Sequence, residues 1–328
     1  MRVFASCLAS AVAATALIGQ EQSSPQSSPP PQYFDEPRFI VAGVTDPSQR
    51  GGHGSDPVLR SAESLAKETA ALRTSTSAAD AAEKQGNALQ AVREYQRAAE
   101  LDPSEANLFD WGTELLTHRA ADQAVEVFAK GHGLFPHSTR TLLGLAVALY
   151  SRGSYDRAAP LFFEATDLNP SDPEPYLFLG KISNGPIMAS SGFSERLERF
   201  AHLHPESALA NYYYAASLTR TSPQARALLE KAVRLDPKLG DAFQLLGSVY
   251  ADEGNLPKAI SAYQSAIAAS PQLEEAHYRL AMAYRKTGET DKARKELEIY
   301  KELSQQSAQK FERERAEIQQ FVFELKHQ

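Results

Sequence analysis

Six prolines recur along the chain at a nearly fixed step: Pro103, Pro136, Pro170, Pro205, Pro237 and Pro271, spaced by 33, 34, 35, 32 and 34 residues. A period in this range marks stacked supersecondary units, and about 34 residues is the length of one helix–turn–helix repeat. Other residues keep phase with each rung. Twelve residues before the prolines stand Ala91, Ala124, Ala158, Phe193, Ala225 and Ala259; eight before, Tyr95, Phe128, Phe162, Leu197, Leu229 and Tyr263. Five before stand Ala98, Gly131, Ala165, Phe200, Ala232 and Ala266.

The first helix of each unit (the A helix) carries the other half of the pattern, a large residue, a small one, then a bulky one three further on. Trp111-Gly112 with Leu115, Leu145-Ala146 with Leu149, Leu246-Gly247 with Tyr250 and Leu280-Ala281 with Tyr284 fit it; Leu179-Gly180 fits only in its first two positions. The small residue lets the A helix lie close against its own second helix (the B helix). Polar residues at Asn87, Ser154, Thr221 and Asn255 are expected to cap B helices, each cap contributing about 1 kcal/mol. Gly86, Gly153, Gly254 and Gly288 are expected to close A helices in the left-handed conformation. Asp56-Pro57 reads as a helix start, with helical pattern to about Lys84 and a B helix from Asn87 to Leu101. Two units depart from the pattern: residues 183–193 read as a lengthened A–B turn, and the turn at Thr219 to Pro223 is about two residues short. Pro160 is expected to kink its helix near Asp156. The last rung is missing, since Gln305 stands where a proline would, so the final helix is free to run on to Lys326.

These motifs resemble the tetratricopeptide-repeat (TPR) family over about residues 72–303. The resemblance implies an all-α solenoid, a right-handed superhelix of six to seven repeats over 56–303. A disordered N-terminal segment precedes it, and residues 304–328 form a C-terminal capping helix. Phe311, Ile318 and Leu325 recur at seven, with Ala308 and Val322 beside them: a packing stripe, or a seam for weak self-association.

The N-terminus reads as an export signal over residues 1–19: Arg2, an apolar or small run from Val3 to Ile18, and cleavage after Ala14-Thr15-Ala16 or at Gly19. The expected location is periplasmic or secreted; the alternative is an uncleaved N-terminal membrane anchor. Cys7 is the only cysteine and falls within the signal, so the mature chain has no disulfide, thiol nucleophile or thiolate metal site. Residues 20–32 are Pro/Ser-rich and read as a disordered spacer. Residues 33–45 are too apolar for a free linker; Phe39, Ile40, Val41 and Val44 are its docking candidates. The formal charge of −7 argues against nucleic acid or an anionic membrane as the main partner.

No catalytic motif, phosphate loop or zinc pattern is present, and no cofactor or metal is expected. His202 and His204 point to different faces, His132 and His137 flank a turn, and the histidines are read as surface or loop residues. The Gly51-Gly52-His53-Gly54-Ser55-Asp56 string has the makings of an anion-binding nest; its plainer reading is a flexible loop ending in a cap.

In TPR proteins the concave groove of A helices binds partners. The family's phase maps it here to Phe109 and Thr113; Leu143, Val147 and Tyr150; Leu177 and Lys181; Tyr212 and Ala216; Gln244 and Ser248; Tyr278, Met282 and Arg285. This set is more aromatic than charged and lacks the carboxylate clamp of some TPR domains, which favours an extended apolar or aromatic-bearing protein segment. The expectation is a non-catalytic interaction scaffold of the cell envelope. The alternatives are a groove occupied by residues 33–45 of its own or another copy, and a ligand-binding or enzymatic accessory built on the glycine-rich string.

Overall fold

A computed structural model describes residues 57–182 and 192–327. The expected export signal and spacer, residues 33–45, the glycine-rich string, Asp56 and most of the expected lengthened turn lie outside the described residues.

Fourteen helices in seven A–B pairs make up the described part. They are α1 (Pro57–Lys84) with α2 (Ala88–Leu101), α3 (Glu105–Thr117) with α4 (Ala121–Leu134), α5 (Thr139–Ser151) with α6 (Tyr155–Leu168), and α7 (Pro173–Lys181) with α8 (Phe193–Leu203). There follow α9 (Ala208–Ser217) with α10 (Pro223–Leu235), α11 (Gly240–Asp252) with α12 (Leu256–Ala269), and α13 (Glu274–Thr287) with α14 (Thr290–His327). Each helix packs mainly on its neighbours in sequence, and α3, α5, α7 and α11 also touch the next A helix. This is the architecture of an α-solenoid, with the buried core falling into three successive clusters along the array.

The proline rungs are the B-to-A turns. In each, the residue before proline is the C-cap, its amide still bonded back four residues: Asp102 to Ala98, Phe135 to Gly131, Asn169 to Ala165, His204 to Phe200, Asp236 to Ala232 and Ser270 to Ala266, all at 2.8–3.0 Å. Proline has no amide to extend that ladder, so the chain turns. In three turns a side chain six residues on clamps the proline carbonyl: Tyr176 Oη on Pro170 at 3.2 Å, Asn211 Nδ2 on Pro205 at 2.9 Å, and a His277 ring nitrogen on Pro271 at 3.2 Å.

Gly112 and Gly247 behave as expected. A Cβ on Gly112 would meet the ring of Phe128 on its own B helix at 2.6 Å, and one on Gly247 would meet Tyr263 at 2.6 Å. Gly180 does not: a Cβ there would overlap the ring of Tyr213 on α9, the next A helix. A Cβ on Gly144 would overlap the Phe128 ring too, so this phenyl ring lies between α3 and α5.

Gly86, Gly153, Gly254 and Gly288 all take positive φ, between 72° and 83°. The α3–α4 turn follows the same geometry without a glycine: Arg119 sits there at φ 57°. Caps divide. Asn87 and Asn255 accept from the amides of Gln90 and Lys258. Ser154 is the N-cap of α6 but makes no cap bond, its Oγ accepting from Arg152 Nε instead, and the N-cap of α10 is Ser222 rather than Thr221. Helix α6 runs unbroken through Pro160.

The final helix spans 38 residues, so the division expected at 303 falls inside one element. Its first half packs on α13. His277, buried rather than superficial, bonds Glu296 at 2.7 Å, Ser307 donates to Glu274, and the Tyr278 and Tyr300 rings lie 5.4 Å apart. Its second half leaves the last repeat and reaches the first ones: Glu314 pairs with Arg119 at 2.7 Å, and Phe321, Val322 and Leu325 pack on the N-terminal core. Of the heptad stripe, Val322 and Leu325 are thus seated intramolecularly.

Candidate functional site

Exposure divides the expected groove residues. Phe109, Thr113, Val147 and Tyr150 are buried and cannot line an open groove; Ser248 is buried too but borders a cleft. Phe109 packs edge-on to Phe128 beneath the Arg140 guanidinium, and Tyr150 packs against Tyr155, Phe162 and Phe178. Helices α3, α5 and α7 touch in succession, and the large side chains between them become core. Leu143 and Leu177 are half-buried against the same core. Lys181 lies 5.7 Å over the Phe178 ring, and desolvation holds its ammonium below the ordinary lysine range. Tyr278 meets Tyr300 of α14, so it supports the last repeat. Arg285 is exposed, with Nη1 3.8 Å from the Met282 sulfur.

What remains accessible converges on the A helices of the C-terminal repeats. A cleft of about 330 Å³ opens between α7, α9 and α11, lined by Gly180, Phe193, Tyr212, Tyr213, Ala216, Arg220, Gln244 and Leu245 among others. The Gly180–Tyr213 contact sets its depth, because a side chain at 180 would push the ring outward. Burial, with smaller contributions from Asp241 and neighbouring tyrosines, pushes both the Tyr212 and Tyr213 hydroxyls well above the usual tyrosine range. They stay protonated, as donors and acceptors of hydrogen bonds rather than bases. Gln244 adds a carboxamide at the rim.

A second, smaller cleft of about 90 Å³ lies between α11, α12 and α13, lined by Ser248, Asp252, Tyr263, Arg279, Met282 and Lys286 with their neighbours. Ser248 joins the two: its Oγ donates to the Gln244 carbonyl at 3.2 Å and accepts from Tyr263 Oη at 3.3 Å. Arg220 of the first cleft pairs with Asp252 of the second at 2.9 Å. The site therefore runs from an apolar, tyrosine-walled pocket to a more charged one. Of the expected residues it unites Tyr212, Ala216, Gln244, Ser248 and Met282. Tyr213, Leu245 and Arg220 were not expected. Tyr213 lies off the family's phase and joins the site only through Gly180, a contact between repeats that the repeat pattern does not encode.

Among the described residues no cluster of three His, Cys, Asp or Glu side chains is placed to hold a metal, and no helix is long and apolar enough to cross a membrane.

A tetratricopeptide-repeat family model matches residues 115–182 and 250–310, and a second tetratricopeptide-repeat model matches 219–274. This chain is a tetratricopeptide-repeat protein. Solved structures of similar fold include a TPR protein from Parabacteroides merdae, at TM-score 0.57 and 12% identity over 73% of this chain and 99% of that one. Another is the APC/C hetero-tetramer Cut9–Hcn1, at TM-score 0.51 and 16% identity over 72% of this chain and 54% of that one. In sequence the TPR chain is similar to anaphase-promoting complex subunit 3 of Schizosaccharomyces pombe, 27% identical over 191 residues. That match takes in 57% of this chain and 28% of the relative, so the chain spans a minority of that protein's length. TPR solenoids are protein-interaction scaffolds, and this chain shares that architecture.

Proposed function

We propose that the chain is a non-catalytic scaffold that holds an extended segment of a partner protein in the α7–α9–α11 cleft. The observation that supports this is the cleft's chemistry: tyrosine walls that stay neutral, one carboxamide at the rim, and a charged extension one turn further along α11. An extended strand with an apolar or aromatic side chain fills the pocket while Gln244 bonds its backbone. Aromatic walls provide contact area at low entropic cost. A nucleophile activated by a base is not part of this lining, and a carboxylate clamp is not either. The relative is by name a subunit of a complex, in keeping with a scaffold.

The same proposal puts the protein in the cell envelope, periplasmic or secreted, on the pattern of residues 1–19; an N-terminal sequence of the mature protein starting after residue 16 or 19 is the expected result.

The test is a photocrosslinking amino acid at Gln244, compared with one at exposed Arg234 on α10. Crosslinks specific to position 244 that map to one extended segment of another protein are expected. Crosslinks to residues 33–45 of the same chain would instead mean a self-occupied groove, and equal products from both positions would remove the cleft from consideration. Once that segment is known, Tyr212→Ala is expected to weaken its binding by about 1–2 kcal/mol, as for an aromatic hot spot.

A further inference from the structure

The second half of α14 is held far from where it starts. No side chain beyond Leu303 is buried. Glu314 nevertheless accepts a 2.7 Å bond from Arg119, 195 residues away, and Phe321 places its ring 5.2 Å from that of His118. Val322 and Leu325 complete an apolar edge on the N-terminal core. Clefts of about 330 and 430 Å³ flank the helix here, between it and the α3–α4 and α5–α6 turns. Protein interiors are close-packed, whereas this contact is bordered by open clefts on both sides.

A second observation points to the same corner. At the position where four other A–B turns place glycine, the α3–α4 turn places Arg119 in left-handed backbone. Backbone strain of this kind persists where surrounding structure requires the side chain, and the Arg119 side chain spans the gap to α14.

We infer that the corner formed by the α3–α4 and α5–α6 turns is a helix-docking site separate from the A-helix cleft, and that the distal half of α14 is its resident, displaceable occupant. The partner it fits is an amphipathic helix with a carboxylate, an aliphatic residue four on, and an aromatic and a branched residue seven and eight on. That is the order of Glu314, Ile318, Phe321 and Val322. Arg119 takes the carboxylate, the His118 ring takes the aromatic, and the apolar edge takes the rest. A partner helix competes with α14 at this corner, and its binding opens the connection between the last repeat and the first.

The inference does not depend on what the cleft binds. Its test uses the full chain and a fluorescein-labelled synthetic peptide of residues 308–327. Phe321→Asp with Val322→Asp frees the corner by repelling α14 from it; both positions are only partly buried, so folding is retained and is checked by circular dichroism. The freed variant is expected to bind the peptide at least tenfold more tightly than the unaltered chain, and Arg119→Glu added to it to abolish that gain. Equal binding by the freed and unaltered chains would overturn the inference. Spin labels at Gln123 and Gln319, which line one flanking cleft together, read the resident state without relying on the variant's stability. A single short distance in the otherwise unaltered chain is expected; a broad, long distribution would overturn resident docking.

Discussion

Phe128 shows how single residues set the spacing of this solenoid. Its ring lies against Gly112 of α3 and Gly144 of α5, so neither position has room for a methyl group. Gly144→Ala is expected to destabilise the protein by about 1–3 kcal/mol through overpacking, read as a lower urea midpoint with unchanged slope. Asp167 has an electrostatic role. Partial burial alone raises its carboxyl, but bonds from Arg199 and Arg196, at 3.0 and 2.5 Å, outweigh this and hold it below the ordinary carboxylate range. A lowered folded-state value contributes stability above the unfolded carboxylate's value and loses it as pH falls through the folded one. The stability gap between the unaltered chain and Asp167→Asn is therefore expected to be constant at neutral pH and to close between about pH 4 and the folded value, measured by urea titration at each pH. At Arg119 two effects oppose. With α14 released by Phe321→Asp, Arg119→Gly is expected to stabilise the chain by about 1–2 kcal/mol, because the left-handed backbone no longer carries a side chain.

At the scale of elements, α13 and α14 depend on His277. Its two ring nitrogens meet Glu296 and the Pro271 carbonyl in a buried position. His277→Ala is expected to cost about 1–3 kcal/mol, with faster amide hydrogen exchange over the start of α14. Repeat-encoded features were legible in the chain: the helix at Pro57, the B helices ending at prolines, the left-handed glycines, and Gly112 and Gly247 against their own B helices. These are short-range and recur, so each unit checks the others. The groove was legible only in part, because lining depends on how closely successive A helices approach. Helices α3, α5 and α7 touch in succession, which makes Phe109, Val147 and Tyr150 core. Gly180 reaches across to the next repeat's Tyr213 rather than to its own B helix, and a period of 34 carries no information about that choice. One signal was available: position 119 holds arginine where four counterpart turns hold glycine, which marks the α3–α4 turn as unlike those four.

In the molecule as a whole, a solenoid's stability is ordinarily a sum over repeats and their nearest-neighbour contacts. Here Arg119–Glu314 and the Phe321 edge add a contact between the first repeats and the last. The same contact limits how the array can change in length. Open solenoids gain or lose a unit with little consequence for the others, since each repeat meets only its neighbours. Helix α14 has a fixed reach of about 57 Å for its 38 residues. Adding or deleting one helix pair would move its starting point while its landing corner stayed where it was. The number of repeats between Arg119 and Thr290 is therefore fixed by the length of a single helix, as a ruler fixes a span.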